Sequence, residues 1–192
     1  MAEEKTTAGK RRRNLFGVFI KDRTGATAVE FALVATPFLA LVVALIQTFL
    51  VFFAQSILEN TVRQAARQIL TGQTQTADAG LSSTAAATAF KTQVCGYGAV
   101  LFSCNANLMV DVQVASNWAS ANTGMPTLTY DSNGNVNNLQ FNPGNAGDIV
   151  VVRVMYLWPV FLGPLGFNLS NQPNNTRMLM ASAAFQNEPA AP

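Results

Sequence analysis

Hydrophobic positions run from Phe31 to Leu58 without a single Asp, Glu, Lys or Arg. Such a run of 28 residues would extend about 42 Å as a helix at roughly 1.5 Å per residue. The hydrocarbon core of a bilayer is about 30 Å thick and needs only about 20 residues. The pattern therefore predicts one transmembrane helix. Pro37 falls in its first turns and removes a backbone hydrogen bond, which predicts a kink or a mobile section there. Gln47 is the strongly polar side chain deep in the span. It is expected to bond either a neighbouring helix or its own backbone.

Past the apolar run the pattern becomes periodic. In Gln55 to Leu70 the residues Leu58, Val62, Ala65, Ala66 and Ile69 recur at three- and four-residue steps and form one apolar stripe. Glu59, Arg63 and Arg67 occupy the opposite side. Glu59 and Arg63 stand in the favourable order for a helix ion pair, worth about 0.3–0.5 kcal/mol. Thr71-Gly72 is the expected stop. One helix from about Ala28 to Leu70 is predicted, with a first half suited to lipid or other helices. Its amphipathic second half needs a domain to cover one face.

The remaining pattern supplies that cover. Asp78 to Val94 is alanine-rich and reads as a short second helix. Leu108 to Ala115 alternates, with Asp111 and Gln113 on one side, and reads as a strand. Thr127 to Tyr130 reads as a short strand, and Asp131 to Asn135 as a turn. Asp148 to Leu157 is the strongest strand signal, and Thr176 to Phe185 a last strand. Trp158 to Asn175 reads as a long loop. The fold class expected is α+β: a long N-terminal transmembrane helix continuing into a small periplasmic domain with a short helix and an antiparallel sheet, pilin-like in outline. The organisation expected is a basic cytoplasmic leader over 1–25, the long helix over 26–70 and the α+β domain over 71–192.

Charge sets the orientation. The chain has 192 residues, 49% hydrophobic and 11% charged, against about 25% charged in a typical soluble domain. Seven of its twelve basic residues precede Ala26, so the leader is +4 and residues 26–192 are −2. Positive charge beside a transmembrane helix stays cytoplasmic. The expected topology is single-pass, with the N-terminus cytoplasmic and the C-terminal domain periplasmic. The cluster Lys10 to Arg13 would also suit a nucleic-acid-binding arm, but the helix already explains it, and no nucleic acid is expected as a partner. A cleaved secretory signal fits poorly, because the small residues precede the apolar run instead of following it.

Two cysteines, Cys95 and Cys104, flank Gly96, Tyr97 and Gly98, and the chain has no histidine. In an oxidising compartment a short-loop disulfide is the expected state. A redox pair is the alternative, although the spacing is not that of a CxxC motif. Two thiols without histidine are too few soft ligands for zinc, so no metal and no cofactor is expected. Without histidine there is no ordinary general base near neutral pH. The outer acids Asp78, Asp111, Asp131, Asp148 and Glu188 are scattered, and no glycine-rich phosphate loop is present. No catalytic residue is assigned. Trp118, Trp158 and Phe161 are expected mainly as core packing, with contact residues as the alternative.

Glu30 stands immediately before the apolar run, and Gly25 five residues before Glu30. One explanation for the acid is the positive end of the helix dipole. The other begins with cleavage after Gly25, which would free the amine of Ala26. A buried acid in a membrane needs a partner, and the freed amine of a neighbouring subunit would supply one and set the register between packed helices.

Gly25, Glu30 and Phe31, between a basic leader and an apolar helix, resemble the type IV prepilin processing motif. The segment from Gly25 to Val42 resembles the TadE-like pseudopilins of tight-adherence (Flp/Tad) pilus systems. Arg63-Gln64-Ala65-Ala66-Arg67 resembles the end of that family's long helix, Val150 to Val154 its strand, and Asn187-Glu188-Pro189 its closing Glu-Pro. The resemblance implies cleavage between Gly25 and Ala26 by a dedicated prepilin peptidase. It implies Glu30 as the register acid and Phe31 as the aromatic beside it. It also implies a minor-pilin role in assembling the pilus. The implied partners are the bacterial inner membrane, other pilins or pseudopilins, the prepilin peptidase and the Tad secretion platform, with the cell surface as a second location in an assembled pilus. Residues 26–192 far exceed the helix-dominated major pilin of such systems, which points to a TadE- or TadF-type minor subunit. The competing class is an unprocessed single-pass envelope scaffold that binds a partner through its outer domain; an enzyme built from distant residues is the third.

Overall fold

The computed structural model describes residues 25–98, 107–132, 136–161, 163 and 166–189. The leader expected over 1–25 falls outside these except for Gly25, and so do Cys104 and the centre of the turn expected at Asp131 to Asn135. The elements in chain order are α1 (Ala26–Leu70), α2 (Gln73–Ala77), α3 (Ser83–Gly98), β1 (Leu108–Ala115), a 3-10 turn (Trp118–Ser120), β2 (Ile149–Pro159) and β3 (Thr176–Gln186). The chain falls into two compact units, Met1–Val42 and Val43–Pro192.

In the first unit α1 carries apolar side chains on every side, and Phe31, Leu33, Val34, Phe38, Leu39 and Leu41 are all exposed. The helix runs through Pro37 without a break in its helical assignment. The Thr36 hydroxyl donates to the Ala32 carbonyl at 2.7 Å. That bond lets a polar side chain lie on an apolar face without an unsatisfied group, as a hydrocarbon surrounding demands.

In the second unit the periodic stripe does what its spacing requires. Leu58, Val62, Ala65, Ala66 and Ile69 are buried, joined by Val51 and Ala54 one to two turns earlier. All of these but Ala66 share one core with Phe90 and Val94 of α3 and with one face of the sheet: Leu108, Val110 and Val112 of β1, Val150, Val152, Val154 and Tyr156 of β2, and Leu179 and Ala181 of β3. Alternation along the strands puts these residues on one face. Burying each Val, Leu, Ile or Phe side chain among them contributes about 1.5–3 kcal/mol. The sheet is antiparallel throughout, in the order β1-β2-β3. The outer edge of β1 is partly covered, because Val112 donates to Gln140 O at 2.8 Å and accepts from Asn142 N at 2.9 Å. Covering an edge in this way blocks pairing with another chain.

α1 ends where the sequence breaks it. Gly72 has φ 74°, a left-handed conformation that favours glycine, and its N–H bonds Ile69 O at 3.1 Å. The tail returns to the same place, where Glu188 N donates to Leu70 O at 2.9 Å.

Several expectations need correction. The alanine-rich helix starts at Ser83, not Asp78, and runs on to Gly98; the residues before it form α2 and a turn. Thr127 to Tyr130 is not a strand; it contributes one isolated bridge, Tyr130 to Val136. Polar Asn137 and Asn138 bond this stretch through side chains and single backbone groups rather than a ladder. β2 extends two residues beyond the expected Leu157, because Trp158 and Pro159 still pair with Arg177 and Thr176. The ion pair expected between Glu59 and Arg63 does not form. Glu59 accepts instead from Gln55 at 3.0 Å, and Arg63 donates to Asn60 at 3.0 Å. Such exposed pairs gain so little that a nearby amide competes evenly.

Candidate functional site

The expected processing residues gather at the head of α1. Gly25 precedes the helix and Ala26 is its first residue. Ala26 and Glu30 are one turn apart and so lie on one face. Phe31 is 75% exposed. Gly25 has no positive φ, and among the described residues a Cβ added there would meet nothing within 4 Å. The fold itself therefore does not ask for glycine at this position. Glu30 lies beyond the first turn, which holds no acid. Stabilisation of a carboxylate by the helix dipole fades within that turn, so the dipole is a weak reason for an acid here. On the same stretch Ala28, Ala32 and Thr36 recur every fourth residue, the spacing that allows close approach of helices in a membrane.

A second constellation escaped sequence reading. Asp111 of β1 and Arg153 of β2 are cross-strand partners, joined by a 2.7 Å ion pair with side chains 1% and 6% exposed. Asp111 also accepts from Gln140 N and from the Gln113 side chain, each at 3.0 Å. In the sequence this carboxylate is one of several scattered acids, but in the fold it ties the Gln140 segment to the sheet. The available signal was one charge of each sign in the middle of two β-branched runs. Arg153 Nε is buried without a hydrogen-bond partner among the described residues, so within them the pair is incompletely compensated. In the sequence Asn187 stands out only by its place beside Glu188-Pro189. It is 3% exposed, and its side-chain amide donates to Pro143 O at 2.9 Å and Asn145 O at 3.0 Å.

The outer aromatics divide. Trp158 packs against the core and lies 6.3 Å from the Tyr156 ring. Trp118 is 56% exposed and Phe161 70% exposed, so neither is core packing. Gln47 does not resolve into either expected bond through its oxygen: Oε1 is buried without a hydrogen-bond partner among the described residues, beside Trp158, Pro159, Val160 and Phe161. A groove of about 500 Å³ lies between α3 and β1, bordered by Thr88, Lys91, Met109 and Tyr130 among others. Cys95 sits in the last turns of α3, while its expected partner Cys104 lies outside the described residues. Among the described residues no group of three or more His, Cys, Asp or Glu is placed to hold a metal ion.

An apolar helix of 45 residues joined to a three-stranded antiparallel sheet defines an α+β protein with one candidate membrane-spanning helix. Residues 25–67 match the family model described as TadE-like protein, the family that the sequence resemblance names. The match begins at Gly25 and ends at Arg67, and so covers the residues expected to mark processing and almost all of α1. It associates this part of the chain with Tad pilus-related proteins. Comparison with curated proteins and with solved structures returned no significant match to either.

Proposed function

We propose that the protein is a minor pseudopilin that takes part in assembling a Tad/Flp-type pilus. A prepilin peptidase hydrolyses the amide between Gly25 and Ala26, so that water yields the Gly25 carboxylate and the Ala26 amine. α1 then leaves the bilayer for a bundle of like helices. There Glu30 accepts the amine of a neighbouring subunit and fixes the register, while Phe31 and the face of Ala28, Ala32 and Thr36 pack against the next helix. The periplasmic domain over 71–192, stapled by Cys95–Cys104, is carried at the surface of the assembly. The protein acts as a structural subunit and not as an enzyme.

The observation that carries this reading is the TadE-like match that begins at Gly25. Two features add support: the fold gives Gly25 no steric reason to be glycine, and the helix dipole gives Glu30 little reason to be acidic. N-terminal sequencing of the protein from its native membrane tests it. A mature chain starting at Ala26 is expected, and Gly25→Val should leave the leader attached. An intact leader on the native protein would defeat the proposal in favour of an unprocessed envelope scaffold. Glu30→Ala should leave insertion and cleavage intact while pilus assembly fails; normal pili in that variant would remove the register role.

A further inference from the structure

The connection between β2 and β3 carries an apolar surface that the pilin reading does not use. No charged residue occurs from Val154 to Thr176. Phe161 is 70% exposed and Phe167 40% exposed. The connection is nonetheless held in place. Val160 N donates to Asn175 O at 2.8 Å, Arg177 donates to Leu169 O at 3.0 Å, and Met178 N to the Asn171 side chain at 2.8 Å. A Cβ on Gly163 would collide with the Phe167 carbonyl, so only glycine permits this fold-back of the loop.

Its position along α1 decides what the surface faces. Trp158, Pro159, Val160, Phe161 and Leu169 lie against Gln47, Leu50 and Val51. At that level the exposed residues of the helix are apolar: Ile46, Phe49, Leu50, Phe52 and Phe53. The first exposed polar residue of α1 beyond them is Ser56, followed by Glu59 and Asn60. The water boundary along the helix therefore falls between Phe53 and Ser56, and Val51 lies two to five residues, about 3–8 Å, on its apolar side. A loop touching Gln47 to Val51 cannot stand clear of the membrane surface if α1 spans it.

We infer that the β2–β3 connection is a second membrane contact, a shallow anchor whose Phe161 and Phe167 enter the headgroup–acyl boundary on the domain's side of the bilayer. The inference rests on the membrane-spanning reading of α1. The occupant is the phospholipid interface itself. Exposed Phe side chains are among those that interfacial segments bury in that zone, and the absence of charge from Val154 to Thr176 makes binding independent of anionic headgroups. Arg177, whose guanidinium holds the Leu169 carbonyl, fixes the loop at this depth.

The test uses the full chain in phosphatidylethanolamine–phosphatidylglycerol vesicles, with the photoreactive analogue p-benzoylphenylalanine in place of Phe161, Phe49 or Trp118. All three side chains are exposed, so the replacements leave the core untouched. Mass spectrometry after illumination should find phospholipid adducts at Phe49 and Phe161, several-fold above those at Trp118. Adducts at Phe49 with Phe161 no higher than Trp118 would overturn the inference and leave the span standing. Their absence at Phe49 as well would sink the spanning reading and this inference with it. Adducts between Phe161 and a second copy of the chain, in place of lipid, would reassign the surface to subunit contact and also overturn it.

Discussion

Two stretches of one helix use the same residue types for opposite ends. Before Val51, α1 buries none of its residues and exposes Phe, Leu, Ile and Val on most sides; from Val51 onward one apolar stripe is buried. Residue hydrophobicity alone does not distinguish them. The arrangement around the helix does: an all-round apolar surface is stable only in lipid or among other helices, whereas a single stripe needs only one covering sheet. The first stretch is held by its surroundings and the second by the protein's own core. Substitutions should separate them.

The largest effect is expected within the second unit at Asp111. Asp111→Ala leaves Arg153 buried and uncompensated, which should cost about 3–5 kcal/mol, whereas joint replacement by Asp111→Leu and Arg153→Met should recover most of it. Denaturant unfolding of the three variants reads the difference. Leu58→Ala removes a fully buried core side chain and should cost about 2–5 kcal/mol by the same measurement. If the staple forms, unreduced protein should show no reactive thiol. Cys95→Ser with Cys104→Ser should then lose about 2–3 kcal/mol. Leu45→Ala sharpens the contrast from the other side. It changes an exposed residue of the apolar stretch, so the domain's unfolding should not move. Insertion should weaken by only about 0.5–1 kcal/mol. A Leu45 variant as damaging to the domain as the Leu58 variant would erase the distinction between the two stretches.

Much of this was legible in the sequence because the signals were local. The stripe from Leu58 to Ile69 is a 3.6-residue period, and the β-branched runs around Val110 and Val152 alternate; both survive folding unchanged. The end of α1 was readable at Gly72 because a left-handed residue at a helix terminus favours glycine. What could not be read depended on which of several partners each group meets in the fold. Asp111 looked like the wet side of a strand until Arg153 was placed opposite it by register. Thr127 to Tyr130 had strand-like residues but no ladder partner. Glu59 and Arg63 had the right spacing, yet Gln55 and Asn60 offered bonds of equal worth. Phe161 resembled a core aromatic because nothing in its own neighbourhood says which solvent it meets.

The bond from Glu188 N to Leu70 O has a mechanical consequence. It returns the tail to the helix end, so residues 71–187 form a closed loop attached at both ends near a single point. Tension carried lengthwise along a bundle of such helices would pass through α1 and bypass that loop. The sheet would be towed, not stretched. A subunit built this way could bear the load of a fibre while its head stayed folded under strain.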